Sequence, residues 1–121
     1  PVFSRIFDSN YSVRVDMPVG SVAAFIADSR ERLRGATLLT DFACGRVSVG
    51  IPRLTGEAWT DFCGHAGKLQ GRAVLEKAPV EFKKNYDVFG PVRPEWELMH
   101  RLKETLDPHG VFSPGRMPGR K

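Results

Sequence analysis

Two cysteines and three histidines are the residues of this 121-residue chain best suited to nucleophilic or metal chemistry. Cys63-Gly64-His65 sets a thiol two positions from an imidazole. Neighbouring positions on a helix point in different directions, and Cys63 falls on the apolar stripe of a predicted helix. It therefore reads as a small core hydrophobe, and no catalytic residue is assigned. His65, His100 and His109 lie on separate predicted elements, whereas a metal needs three or four converging ligands, so no metal is expected. Cys44 and Cys63 lack metal spacing and are too few for a disulfide framework. Both are expected as free, buried thiols in a reducing cytoplasm. Gly110, Gly115 and Gly119 are spaced by five and four, and none opens a helix after a strand, so they form no phosphate cradle.

The charged residues are more informative. Arg14 and Asp16 alternate with Val13, Val15 and Met17, and Arg46 and Ser48 alternate with Val47, Val49 and Ile51. If the valines enter a core, Arg14 and Arg46 leave it on the same side of a sheet, together with Asp16, Ser48, Arg72 and Glu76. The plain reading is a solvated polar face. Net charge is +4, with Arg116, Arg120 and Lys121 supplying much of the excess. The other charges are interspersed, which gives no indication of nucleic-acid binding.

The elements that must position these residues follow from periodicity. Residues 12–17 form a half-buried strand ended by Pro18. Residues 21–33 form a helix with Val22, Phe25, Ile26, Ser29 and Leu33 on one stripe, closed by Gly35. Residues 36–43 and 46–51 make a hairpin around Cys44-Gly45. A second helix, about 57–70, turns Trp59, Phe62, Cys63, Ala66 and Leu69 inward. Residues 72–77 are a fourth strand. Residues 79–94 are a packed connection with one short helical turn at most. The first ten residues are ambiguous: Phe3, Ile6 and Phe7 begin a strand or continue an element that precedes Pro1.

This order predicts an α+β fold, the ferredoxin-like split βαβ: a four-stranded antiparallel sheet with two helices on one face. The first and third strands are expected to be central and parallel to each other. The expected core is Val13, Val15, Val22, Phe25, Ile26, Leu33, Val47, Val49, Trp59, Phe62, Cys63 and Leu75. No apolar run approaches the roughly 20 residues of a membrane span.

The most specific stretch is 95–116, EWELMHRLKETLDPHGVFSPGR. Leu98, Met99, Leu102 and Leu106 recur at helical spacing. Pro108 stops the helix and pushes Asp107 out of the α region, and Gly110 supplies a left-handed turn. Val111 and Phe112 are then available to pack back on the helix, and Ser113-Pro114-Gly115 makes a second turn. A C-terminal helix and turn-rich tail is the structural expectation.

Leu98-Met99, Arg101-Leu102-Lys103, Leu106-Asp107-Pro108, Gly110-Val111-Phe112 and Pro114-Gly115-Arg116 together resemble the C-terminus of FAD-linked oxidases. This is the vanillyl-alcohol oxidase and p-cresol methylhydroxylase superfamily, which includes D-lactate dehydrogenases and glycolate oxidase. The segment 71–79, GRAVLEKAP, and Asp87-Val88-Phe89-Gly90 look like the FAD-binding small subunit of bacterial glycolate oxidase. The likeness is strong over 71–116, weak over 12–70 and absent before that. The family usually has Asn where this chain has Ser113, so a contact of that Asn is not carried over. The dehydrogenase branch carries a His-rich, Asp-Gly-Asn motif where this chain has Phe42-Ala43-Cys44-Gly45-Arg46, which favours the glycolate oxidase branch.

The resemblance implies a C-terminal fragment of an FAD-dependent oxidoreductase that oxidises a small 2-hydroxy acid, with hydride passing to the flavin. Residues 1–11 would be a leader from a missing upstream domain, 12–79 the cap (substrate) domain, 80–94 a connection, and 95–121 a segment returning to the FAD domain. The sheet would lie over the flavin, with Arg14 and Arg46 as substrate-binding residues. Ser113, Pro114, Gly115 and Arg116 would be cofactor-binding. FAD would belong to the full-length protein and not bind this fragment. The FAD domain of the same chain and further flavoprotein and iron–sulfur subunits are the implied partners. The rival is a free-standing ferredoxin-like module that binds a small ligand or RNA. Its first and third strands lack the aromatic stacking residues of an RNA recognition motif. The absence of Met at position 1, and the apolar Phe3, Ile6 and Phe7, also argue for a cut.

Overall fold

Val13 and Val15 are fully buried, and the intervening Arg14 is only half-buried. That alternation places the first strand between a core and an open face. The computed structural model describes residues 2–120, the side chains of Val2, Phe3, Phe7 and Arg120 excepted. The strands are β1 (Tyr11–Asp16), β2 (Thr37–Asp41), β3 (Arg46–Ile51) and β4 (Arg72–Lys77), in the sheet order β2-β3-β1-β4. Helices α2 (Val22–Arg32) and α3 (Gly56–Lys68) make the two crossovers and bury Val22, Phe25, Ser29, Trp59, Phe62, Cys63 and Ala66. This is the expected α+β architecture.

β1 runs antiparallel to both β3 and β4, so the expectation that the first and third strands are parallel is corrected. The crossover through α2 returns β2 in the direction of β1, and the hairpin then reverses the chain. A strand inserted between β1 and β2 must therefore oppose both.

The core is the expected one, with Ile26 and Leu33 only half-buried at its margin. Phe25 meets Phe62 edge-on, with ring centroids 5.6 Å apart, a favoured aromatic geometry. Thr55 caps α3 by accepting the Ala58 N–H at 3.2 Å. Gly64 and Gly67 sit inside α3 without breaking it, because its buried face outweighs a cost of up to about 1 kcal/mol per glycine. The connection contains the short helix α4 (Val80–Asn85), and α5 (Glu95–Leu106) follows.

The N-terminal segment is not a strand. It forms α1 (Val2–Asp8), which lies across β2 and β3 and buries Ile6. Gly50 permits this: a Cβ there would stand 2.8 Å from the Ile6 Cα and 2.7 Å from the Ser9 Oγ. Gly50 and its cross-strand partner Ser12 face away from Val49 and Val13, so α1 covers one end of the sheet face opposite α2 and α3. The expectations for Phe3 and Phe7 concern side chains outside the described residues. Cys44 is also corrected: it is exposed in the hairpin turn, and only Cys63 is buried.

Removing the Phe25 ring should leave a cavity at the centre of this core. Phe25→Ala is expected to cost about 3–5 kcal/mol by denaturant unfolding. A loss below about 1 kcal/mol would contradict the helix register described.

Candidate functional site

Arg14 and Arg46 meet on the uncovered part of the sheet. Arg46 stands opposite Asp16 in the β1–β3 register, and its Nε donates to Asp16 Oδ1 at 2.6 Å. Arg14 Nε lies 3.0 Å from Asp16 Oδ2, off the N–H direction, and its Nη1 donates to Glu76 Oε1 at 3.2 Å. Asp16 is thus wedged between the two guanidiniums, and Glu76 holds the outer side of Arg14. Hydrogen bonding to Asp16, with its charge, raises the Arg46 pKa further. The four side chains are 36–49 % exposed, so each pair contributes at most about 1 kcal/mol. The terminal amino groups of Arg46 have no carboxylate partner among the described residues. Arg72 pairs with Glu95 at 3.2 Å, linking this edge of the sheet to the start of α5.

The terminal segment is organised by one carboxylate. Asp107 ends α5 at φ −138° and ψ 66°, outside the helical region, as expected before Pro108. It is buried, and its Oδ1 and Oδ2 accept the backbone N–H groups of Val111 and Phe112, each at 2.9 Å. Lys103 pairs with Asp107 and donates to the Phe112 carbonyl at 2.7 Å. The hydrogen bond from Lys103, then those from the two amides, holds the Asp107 carboxyl below the usual carboxylate range. Val111 and Phe112, expected to be available to pack back on the helix, are not buried against it. They are about 70 % exposed, and it is their backbone that Asp107 captures.

Ser113 and Gly115 adopt left-handed φ values of 47° and 71°, and the Arg116 N–H closes the turn on the Ser113 carbonyl at 3.2 Å. All four residues of 113–116 are exposed. The tail then returns: Pro118 is buried with its carbonyl 2.6 Å from His100 Nε2, and the Gly119 N–H donates to Asp87 Oδ2 at 2.8 Å. Asp87 also accepts the Phe89 N–H at 2.8 Å, which fastens the connection to the tail. Gly115 and Arg116 line a cleft of about 380 Å³ with Leu75, Glu76, Tyr86 and Asp87. Glu76 therefore belongs both to the arginine cluster and to the cleft beneath the tail. That link has no signal in the sequence, because strand position says nothing of which acid closes on which arginine.

Among the described residues, nothing covers the apolar stripe of α5. Leu98, Leu102 and Leu106 are 57–72 % exposed, and the helix buries Trp96 in their place. Met99, Leu102, Leu106, Phe112 and Met117 line a shallow groove of about 420 Å³.

Cys63 is a poor nucleophile, since burial pushes its thiol up to about 12. Among the described residues, no three His, Cys, Asp or Glu side chains gather as metal ligands. No helix among them is long and apolar enough to cross a membrane.

Residues 89–117 match the family of FAD linked oxidases, C-terminal domain. No curated protein and no solved structure matches the chain significantly. The family match supports an FAD-linked oxidase C-terminal domain, with FAD as the cofactor of the full-length protein. It covers α5, the Asp107 turn and residues 113–116, the stretch whose uncovered face is described above.

Asp107→Asn should loosen the turn while leaving α5 intact. The Val111 and Phe112 amides are expected to lose hydrogen-exchange protection at least tenfold, with unchanged far-UV circular dichroism. Because the folded pKa is depressed, the stabilisation is present above the unfolded value of about 3.9 and lost as pH falls through the folded value. Wild-type protection should fall in that acidic window, and equal protection in the Asn variant would refute the role given to Asp107.

Proposed function

We propose that this chain is the C-terminal part of an FAD-dependent oxidoreductase subunit that oxidises a small 2-hydroxy acid, similar to the small subunit of glycolate oxidase. The reading rests chiefly on the convergence of Arg14 and Arg46 on a face that shares Glu76 with the cleft lined by Gly115 and Arg116. Bound FAD supplies the two-electron acceptor. The residues of this chain bind and orient. Arg14 and Arg46 take the substrate carboxylate, directed by Asp16 and Glu76, and the exposed turn 113–116 lies against the cofactor.

The uncovered stripe Leu98, Leu102 and Leu106 supports a missing cover, which in this reading is the FAD domain of the same chain. Further flavoprotein and iron–sulfur subunits complete the proposed assembly in the cytoplasm. The free-standing module is disfavoured by the same stripe, which such a module would bury within its own fold.

The test uses the full-length enzyme and glycolate. Arg14→Ala and Arg46→Ala should each raise KM about tenfold or more, in line with the roughly 1.5–3 kcal/mol of a hydrogen bond to a charged group. Flavin content should not change. Lysine should restore KM only in part, since it keeps the charge and loses the planar fork. Unaltered kinetics in both alanine variants would assign this face to plain solvated surface.

A further inference from the structure

Met117 lines two clefts at once. One is the groove beside α5, with Leu102, Leu106 and Phe112; the other is the cleft that contains Glu76, Tyr86 and Arg116. No other lining residue is common to both. The returning tail is thus a shared wall between the uncovered face of α5 and the cleft that meets the arginine cluster at Glu76.

What holds this wall is local. Pro118 is buried, and its carbonyl stands 2.6 Å from His100 Nε2. A carbonyl only accepts, so Nε2 is the donor. The Gly119 N–H donates to Asp87 Oδ2 at 2.8 Å. Gly119 fits there because it has no side chain. A Cβ would lie 3.3 Å from His100 Cε1 and 3.7 Å from Trp96 Cε3, and its φ of 74° is left-handed. Trp96 is 6 % exposed yet stands outside the core formed by the sheet with α2 and α3. Asp87 and His100 stand outside it as well. Residues 113–116 are all exposed, and Ser113 and Gly115 are left-handed, so the chain enters the segment through a turn that no core packing fixes.

A hydrogen bond shifts an equilibrium by roughly tenfold net. Two such bonds and one buried proline hold residues 117–119 far less firmly than the core holds β1, and segments so held open locally without global unfolding. We propose that residues 117–119 form a strap, hinged at 113–116 and latched at Asp87 and His100, that opens as a unit while the sheet and α5 stay folded. Closed, it covers Trp96 and keeps the two clefts apart. Open, it uncovers Trp96 and withdraws Met117 from between them, so that a path runs from the α5 face to Glu76, the acid that holds Arg14. The strap is a property of the fold and does not depend on the oxidase reading.

The experiment is hydrogen exchange by NMR on the isotope-labelled chain. The Gly119 amide should be protected about tenfold or more relative to an unstructured peptide, yet exchange at least about a hundredfold faster than the amides of β1. Asp87→Ala removes the acceptor, whereas Gly119→Ala leaves Asp87 in place and sets a Cβ against His100. Each should abolish the protection at position 119 and shift the resonances of the Trp96 indole, the Met117 methyl and the Glu76 amide, with β1 protection unchanged. The proposal is overturned if the Gly119 amide exchanges only at the rate of β1, if it shows no protection in the unmodified chain, if both variants keep position 119 protected, or if both lower β1 protection by the same factor.

Discussion

The structure depends on β1 serving two environments at once. The strand is central, paired on one side to β3 and on the other to β4. Val13 and Val15 enter the core without exposure, while Arg14 and Asp16 emerge on the other face. A slip of one residue would drive a guanidinium and a carboxylate into the apolar layer, at several kcal/mol for each charge. The register is therefore fixed by the valines. With it fixed, Arg46 must stand opposite Asp16, and Glu76 comes within reach of Arg14. The ion cluster follows from core packing and contributes little to it.

The second organising group is Asp107. A helix end leaves unpaired backbone groups, and this one is followed by a proline that cannot donate. Asp107 supplies both acceptor oxygens to the amides beyond the turn, and Lys103 balances the charge. The chain is then directed into the left-handed residue Ser113. Among residues other than glycine, asparagine tolerates that conformation best.

Much of this was legible because periodicity reports burial directly. The alternation around Val13 and Val47 and the stripe through Phe25 and Phe62 were sufficient for the sheet, the two crossovers and the core. What was hidden depended on contacts between distant segments. The docking of α1 rests on the missing side chain of Gly50, which reads in sequence as an ordinary weak strand position. In α5 the leucine stripe is the louder signal, yet Trp96 is the residue that is buried, beside His100 and the returning Gly119. Cys44 looked like a core thiol by composition, but a hairpin turn has no core to enter. The role of Glu76 was invisible for the reason that its partner comes from a strand 62 positions away.

The arginine cluster raises an apparent difficulty for anion recognition, since its two cations already face two carboxylates. The resolution lies in which atoms are engaged. Asp16 takes the Nε edge of Arg46, and Arg14 is held at Nη1 by Glu76. Each pair is half exposed and weak, so an incoming carboxylate loses little by sharing a partner. What the acids contribute is direction: they restrain two long side chains that would otherwise lose rotamer freedom on binding. In the proposed reading, the terminal amino groups left over would be the donors to a planar carboxylate. In water such donors would discriminate poorly. Covered by a second domain, where the effective dielectric falls, the same geometry becomes a strong and selective contact. In the proposed reading, one neighbouring surface that excludes water would serve both the uncovered stripe of α5 and the arginine pair.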